Sequence, residues 1–184
     1  MLEQEIKLEF ESVEAARRSI TATGARLEVS QRLLEDRLFD TEQQHLRQAG
    51  TALRVRRDGT RAILTFKGPA QPAHIKSREE IETGVGDAEV AEAILHGLGF
   101  RCWFRSQKRR EEYRLGKALV TIDDTPIGVF VEIEAAPDDI DRVATQLGRS
   151  RADYRLESYP RLYARWREAK GIEERDMLFR DLKI

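Results

Sequence analysis

"LRVRRDGTRAILTFKG" spans residues 53–68. Two alternating runs flank Asp58-Gly59, a dipeptide favoured in tight turns, so the stretch reads as a β-hairpin. With Arg57 and Thr60 flanking the turn, Arg56 faces Arg61, Val55 faces Ala62 and Arg54 faces Ile63. Alternation then puts Arg54, Arg56, Arg61 and Lys67 on one face with Ile63 and Thr65, and Leu53, Val55, Ala62, Leu64 and Phe66 on the other. Like charges facing each other across a hairpin are unfavourable. Four cations on one face therefore demand a counter-charge from elsewhere in the chain.

The same half-charged alternation recurs along the sequence. In "EQEIKLEF" (3–10), Glu3, Glu5, Lys7 and Glu9 oppose a mostly apolar face. "RLLEDRLFDT" (32–41) reads as a strand, and "REEIE" (78–82) sets Arg78, Glu80 and Glu82 on one side. "SQKRREEYRL" (106–115) aligns Lys108, Arg110, Glu112 and Arg114, and "ALVTIDDTPIGVFVEIEA" (118–135) forms two strands around Pro126 and Gly128, with Glu132 and Glu134 on one face. Between the strands, Ser12 caps a helix carrying Val13, Ala16 and Ile20. Asp87 opens another, with Val90, Ala91, Ile94, Leu95 and Leu98 on one stripe. Residues 68–77 read as a loop. Pro137 starts a helix closed by Gly148, and a last one runs from Ser158 past Trp166 to Gly171, with a further short helix expected in the tail.

The expectation is one α+β domain over residues 1–184, its helical C-terminal segment at 158–184. Thirty-two Lys+Arg against thirty-three Asp+Glu argue against a nucleic-acid or anionic-membrane partner. One cysteine, Cys102, excludes an intramolecular disulfide or a thiolate metal cage, and three dispersed histidines show no zinc-ligand spacing. With no apolar run long enough for a membrane span, the expected protein is soluble and cytoplasmic.

The charged faces admit two readings: the wet side of an ordinary sheet, or the lining of a site. The residue types favour the second. Carboxylates recur as i, i+2 pairs, Glu3/Glu5, Glu80/Glu82 and Glu132/Glu134, projecting oxygens about 7 Å apart along a strand. Carboxylates suit Mg²⁺ or Mn²⁺, and arginine suits bidentate phosphate contacts. A closed antiparallel barrel with these faces inward would hold a cation with a polyphosphate, and helices would cover its apolar outside.

Glu3-Gln4-Glu5-Ile6-Lys7 resembles the ExExK signature of the CYTH superfamily, the triphosphate tunnel metalloenzymes. "FDT" (39–41), "ALRVR" (52–56), "LTFKGP" (64–69), "REEIE" (78–82), "KRR" (108–110), "TIDD" (121–124), "GVFVEIE" (128–134) and "SYPRLY" (158–163) follow in the family's order. The resemblance implies an eight-stranded antiparallel tunnel with helices outside, binding a triphosphate-containing small molecule with Mg²⁺ or Mn²⁺. It implies phosphate contacts from Arg54, Arg56, Lys67, Lys108 and Arg110, with Arg78 added, and metal binding by Glu3, Glu5, Glu132 and Glu134, with Asp123 close by. Lys7 and Glu5 carry the catalytic role, Lys7 as phosphate or water ligand rather than base, although burial and neighbouring acids push its pKa in opposite directions.

Hydrolysis of inorganic triphosphate or a nucleoside triphosphate is the expected activity. Its alternative is the class IV adenylate cyclase reaction, in which the ribose 3′-hydroxyl of ATP displaces pyrophosphate. The class IV cyclases carry His-Phe shortly before ExExK, where only Met1-Leu2 stand here. The thiamine triphosphatases carry a tryptophan where Ala52 stands, and many members a tyrosine where Leu38 and Phe39 stand. A non-catalytic polyphosphate-binding module is a third reading, and a homodimer is compatible with all three.

Overall fold

The computed structural model describes residues 2–71 and 73–179. Eight strands, β1 (Leu2–Phe10), β2 (Arg26–Asp40), β3 (Ala52–Asp58), β4 (Arg61–Lys67), β5 (Lys76–Val85), β6 (Arg101–Leu115), β7 (Ala118–Thr125) and β8 (Gly128–Glu134), close into an antiparallel barrel in the order β1-β5-β4-β3-β2-β6-β7-β8. Five helices, α1 (Val13–Ala22), α2 (His45–Gln48), α3 (Ala88–Gly97), α4 (Pro137–Gln146) and α5 (Tyr159–Lys170), fill the connections. Among the described residues, no helix is long and apolar enough to cross a membrane.

The apolar half of each strand points outward, toward the helices. Ile6 and Leu8 of β1, Val120 and Ile122 of β7, and Val131 and Ile133 of β8 form one cluster with Ala16 and Ile20 of α1 and Ile140, Val143 and Ala144 of α4. Phe39, Val55 and Ala62 meet Ala88 and Leu95 of α3 in a second. Ser12 caps α1 through its hydroxyl, and Pro137 stands in the first turn of α4. The barrel interior is left to the charged half.

Three details depart from the sequence reading. Asp58 pairs with Arg61, Arg56 with Ile63 and Arg54 with Thr65, so the two-residue turn is Gly59-Thr60. Gly59 alone has positive φ there (60°), as a first turn position in a type II′ hairpin requires. The slip is two residues, one full side-chain period, so no residue changes face. Second, β5 begins at Lys76, inside the stretch read as loop. Third, α3 buries Ala91 and Leu95 but leaves Val90, Ile94 and Leu98 exposed.

Helix α5 ends at Lys170, where Gly171 (φ 65°) takes the left-handed conformation that terminates it. Residues 171–179 contain no further helix; Met177 bridges to Ser106 instead, and the rest of the expected tail helix lies outside the described residues.

Candidate active site

The inward face of every strand contributes to one cavity of about 1590 Å³. Glu3, Glu5 and Lys7 of β1, Arg54 and Arg56 of β3, Lys67 of β4, Arg78 of β5, Lys108 and Arg110 of β6, and Glu132 and Glu134 of β8 all line it. Asp123 of β7 is fully buried and bonded to Lys108 and Arg110 of that wall. Every residue singled out as a candidate is thus brought to one place.

Opposite charges face each other at many positions of the ladder, although Glu5 also faces Glu134 and Arg110 also faces Arg32. Glu3 stands opposite Arg78, Glu5 opposite Lys76, Lys7 opposite Glu132, Lys67 opposite Glu80, Asp36 opposite Arg56, and Arg110 opposite Asp123. This supplies the counter-charge that the arginine hairpin demands. Arg56 grips Asp36 through two hydrogen bonds of 2.7 and 2.8 Å. Those arginines, with burial opposing them, hold the Asp36 carboxyl well below the usual range. Arg54 is less well served: its Nη2 donates to Thr65 at 3.0 Å, but its buried Nε has no hydrogen-bond partner among the described residues. Burial, then Arg56, pull its pKa down.

Lys7 is 2% exposed, with its ammonium 3.2 Å from Glu5 and 3.3 Å from Glu132. Burial works against its charge, but Glu5 and Glu132 together outweigh it, and the net pKa lies above that of an ordinary lysine. Lys7 is a fixed cation. Lys76, which also bonds Glu5, and Lys108 go the other way. Burial first and a neighbouring cation second, Lys7 for one and Arg110 for the other, bring each down to about 8.

Asp123 accepts from Lys108 at 2.8 Å, from Arg110 at 2.6 Å on each oxygen and from the Tyr159 hydroxyl at 2.7 Å. With both oxygens occupied, it organises the cations here. Tyr159 enters from α5, which lies across one end of the barrel. Its ring lies 5.4 Å from the Lys7 ammonium and 4.8 Å from that of Lys108, and meets Phe130 edge-on. Farther along α5, Tyr163 packs on Phe104.

Lys76, Asp36 and Tyr159 were not identified from sequence. Lys76 falls in a Pro-containing stretch that reads as loop, and Asp36 shares its parity with Asp40, so alternation alone does not single it out. Tyr159 had no local signal beyond its place in "SYPRLY". By contrast Asp40 is structural: it accepts from the backbone N–H groups of Thr41, Leu46 and Arg47.

Among the described residues, no three His, Cys, Asp or Glu side chains converge as a ready metal cage. The fit to a divalent cation rests on a different observation. Burial, then contact with Glu80 and the charge of Glu5, raise the pKa of Glu3; burial, then Glu3 and Glu5, raise that of Glu134. Glu134 has no ion-pair partner among the described residues, so this corner holds negative charge in excess. A hard cation completed by substrate oxygens suits such a corner, since Mg²⁺ commonly takes one or two carboxylates plus phosphates.

The family model described as the CYTH domain matches residues 1–159. A Methanocaldococcus jannaschii protein provisionally named an adenylate cyclase is 30% identical over 141 residues, covering 76% of this chain and 80% of its own. An Aeromonas hydrophila protein named adenylate cyclase is 28% identical over 171 residues, covering 85% and 86%. Among solved structures, a Hippeastrum protein described as having a dominant triphosphatase activity superposes with a TM-score of 0.67 at 18% identity, covering 91% of this chain and 96% of that one. At that identity the last likeness concerns the fold alone.

Proposed function

The chain belongs to the CYTH domain family, and on that premise we propose that it hydrolyses a triphosphate, inorganic or nucleoside, with the help of a divalent metal ion. One observation carries the reading: a closed barrel gathers seven cations, Arg54, Arg56, Lys67, Lys76, Arg78, Lys108 and Arg110, around a single cavity. Each already pairs with wall carboxylates or hydroxyls, so the lining is organised before any ligand arrives. Preorganised charge of this kind is what phosphoryl transfer needs, because its transition state spreads negative charge over the phosphate oxygens.

In this reading the arginines and lysines hold the triphosphate and neutralise it. Lys7, kept protonated by Glu5 and Glu132, contacts phosphate or orients the attacking water and takes no proton from it. Asp123 and Asp36 fix Lys108, Arg110 and Arg56 in place. Glu3, Glu5, Glu132 and Glu134 would hold Mg²⁺ or Mn²⁺, which supplies charge neutralisation and polarisation of phosphate oxygens. Tyr159 closes one end against water.

A second reading, cyclisation of ATP with release of pyrophosphate, is favoured by the names of the two relatives at 28–30% identity. Product analysis separates them. With tripolyphosphate or ATP and Mg²⁺ or Mn²⁺, the expected product is orthophosphate. Cyclic AMP with pyrophosphate would replace this reading by the cyclase, and saturable binding without turnover by a binding module.

A further inference from the structure

Three threonines are buried among the described residues, and two of them have their hydroxyls satisfied. Thr65 accepts from Arg54 at 3.0 Å, and Thr125 donates to the carbonyl of Gly128 at 2.7 Å. Thr121, 2% exposed on β7, is the exception: its Oγ1 is buried with no hydrogen-bond partner among the described residues. A buried hydroxyl in that state costs stability, and a valine would fill nearly the same space without the cost. Thr121 lines the cavity with Leu119, one side-chain period along the strand from buried Asp123.

Its neighbours decide what the hydroxyl can take. In the ladder Thr121 stands opposite Glu132 of β8 and Glu112 of β6, and Glu132 stands opposite Lys7 of β1. One row across four strands therefore runs Lys7, Glu132, Thr121, Glu112. Both acids are already ion-paired, Glu132 with Lys7 and Arg110, and Glu112 with Arg32. Beside Thr121 they still present oxygens rather than donors, which suits a phosphate oxygen poorly. A hydroxyl can donate to a carboxylate while its lone pairs accept from a further O–H. Water and alcohols supply such an O–H, and an ionised phosphate does not.

We propose that Thr121 holds the attacking water, its Oγ1 accepting a hydrogen bond from the water's O–H. The inference rests on the hydrolytic reading above and assigns the nucleophile a place within it. In the free chain Oγ1 is shut off while Lys7 and Arg110 hold Glu132 beside it. Phosphate oxygens compete for both cations and loosen that contact, so the water takes its place as the substrate binds. Its oxygen then bonds to phosphorus, the bond to the leaving phosphate breaks with its electron pair, and the water's proton ends on a released phosphate oxygen. Thr121 takes no proton; it fixes the line of attack, which phosphoryl transfer requires.

Steady-state kinetics of the full chain on tripolyphosphate with Mg²⁺ test it. Thr121→Val should lower kcat about tenfold or more, the worth of one hydrogen bond in the transition state. KM and the metal-free affinity for tripolyphosphate should stay unchanged, and Tm should be at or above wild type. Thr121→Ser, which restores the hydroxyl, should recover most of the loss. Wild-type kcat in Thr121→Val, an equal loss in Thr121→Ser, or a loss that merely follows falling Tm and affinity overturns the assignment. The wild type reports on the hydrolytic reading separately: orthophosphate release upholds that reading whichever way Thr121→Val falls, and binding without turnover removes both. With ATP, slowed formation of cyclic AMP in place of slowed orthophosphate release would put the ribose hydroxyl at Thr121 and overturn the assignment of water.

Discussion

Lys7 and Glu132 face each other across the β1–β8 ladder, with the ammonium 3.3 Å from the carboxylate and Glu5 on its other side. That geometry keeps Lys7 charged at neutral pH. Lys7→Met should therefore lower turnover by about 100-fold or more, the scale of losing one preorganised donor. Lys7→Arg, which keeps the charge, should retain part of the activity. A general base would make the two variants equally inactive, so equal loss in steady-state kinetics would count against the assignment. The raised pKa also fixes a sign: the ion pair stabilises the fold below about pH 10.4, the unfolded lysine value, and that contribution is lost as pH rises through the higher folded value.

Lys108 gives the opposite sign. Burial and Arg110 hold its pKa down to about 8, against the pull of Asp123 and Glu132. Between about pH 8 and about pH 10.4, the unfolded chain holds a proton that the folded chain lacks, so this group makes stability rise with pH across that window. Binding moves the other way, because a neutral amine attracts phosphate less. The affinity ratio of wild type to Lys108→Met for tripolyphosphate should shrink between about pH 7 and about pH 9. Calorimetric titration measures it, and a constant ratio would contradict the shift.

Arg54 and Arg56, neighbours on one face, should differ when removed. Arg56→Ala strips Asp36 of its bidentate partner and leaves a buried carboxylate to Arg54, 4.0 Å away. Removing one member of a buried pair typically costs about 3–5 kcal/mol; with Arg54 remaining, the lower part of that range is expected. Arg54, whose Nε has no hydrogen-bond partner among the described residues and whose pKa is depressed, sits in an environment unfavourable to its charge. Arg54→Met should leave Tm at or above wild type. Both variants should bind tripolyphosphate several-fold more weakly, which thermal melts with and without ligand would show.

The inward residues were legible because a strand's side-chain period is two, and parity survives errors of element boundary and even the two-residue slip at Gly59-Thr60. What parity does not give is the third dimension. Asp36 becomes the partner of Arg56 only once β2 is known to lie beside β3, and Tyr159 becomes part of the site only once α5 crosses the barrel end. The exposed part of the α3 stripe, Val90, Ile94 and Leu98, has a related explanation. Apolar periodicity marks a face that avoids water, without saying whether the same chain covers it.

Tyr159 is a positioning residue by its contacts, and its two parts can be tested apart. Tyr159→Phe keeps the ring over Lys7 and Lys108 but removes the hydrogen bond to Asp123. About 1.5–3 kcal/mol of stability should go with it, the scale of a hydrogen bond to a charged group, with KM for the triphosphate rising more than kcat falls. Tyr159→Ala also uncovers the barrel end and should lower kcat further. Identical kinetics in both variants would leave the ring without a role.

Glu134 offers the cleanest test of the metal corner, because among the described residues it has no ion-pair partner to strand. Burial, Glu3 and Glu5 raise its pKa, so its ionised form is destabilised in the folded chain. By linkage, ionisation of Glu134 costs stability at pH values above its folded pKa, and Glu134→Gln should fold at least as well as wild type at neutral pH. A bound divalent cation would reverse that electrostatic disadvantage. Metal-free wild type should therefore gain Tm on adding Mg²⁺ or Mn²⁺, and Glu134→Gln should gain less and need more metal for half-maximal turnover. Glu132→Gln should differ, since it leaves Lys7 and Arg110 short of a counter-ion and should lower Tm even without metal. An unchanged metal requirement in Glu134→Gln would remove this residue from the metal set, and a metal-induced Tm shift equal to wild type would do so without any assay of turnover.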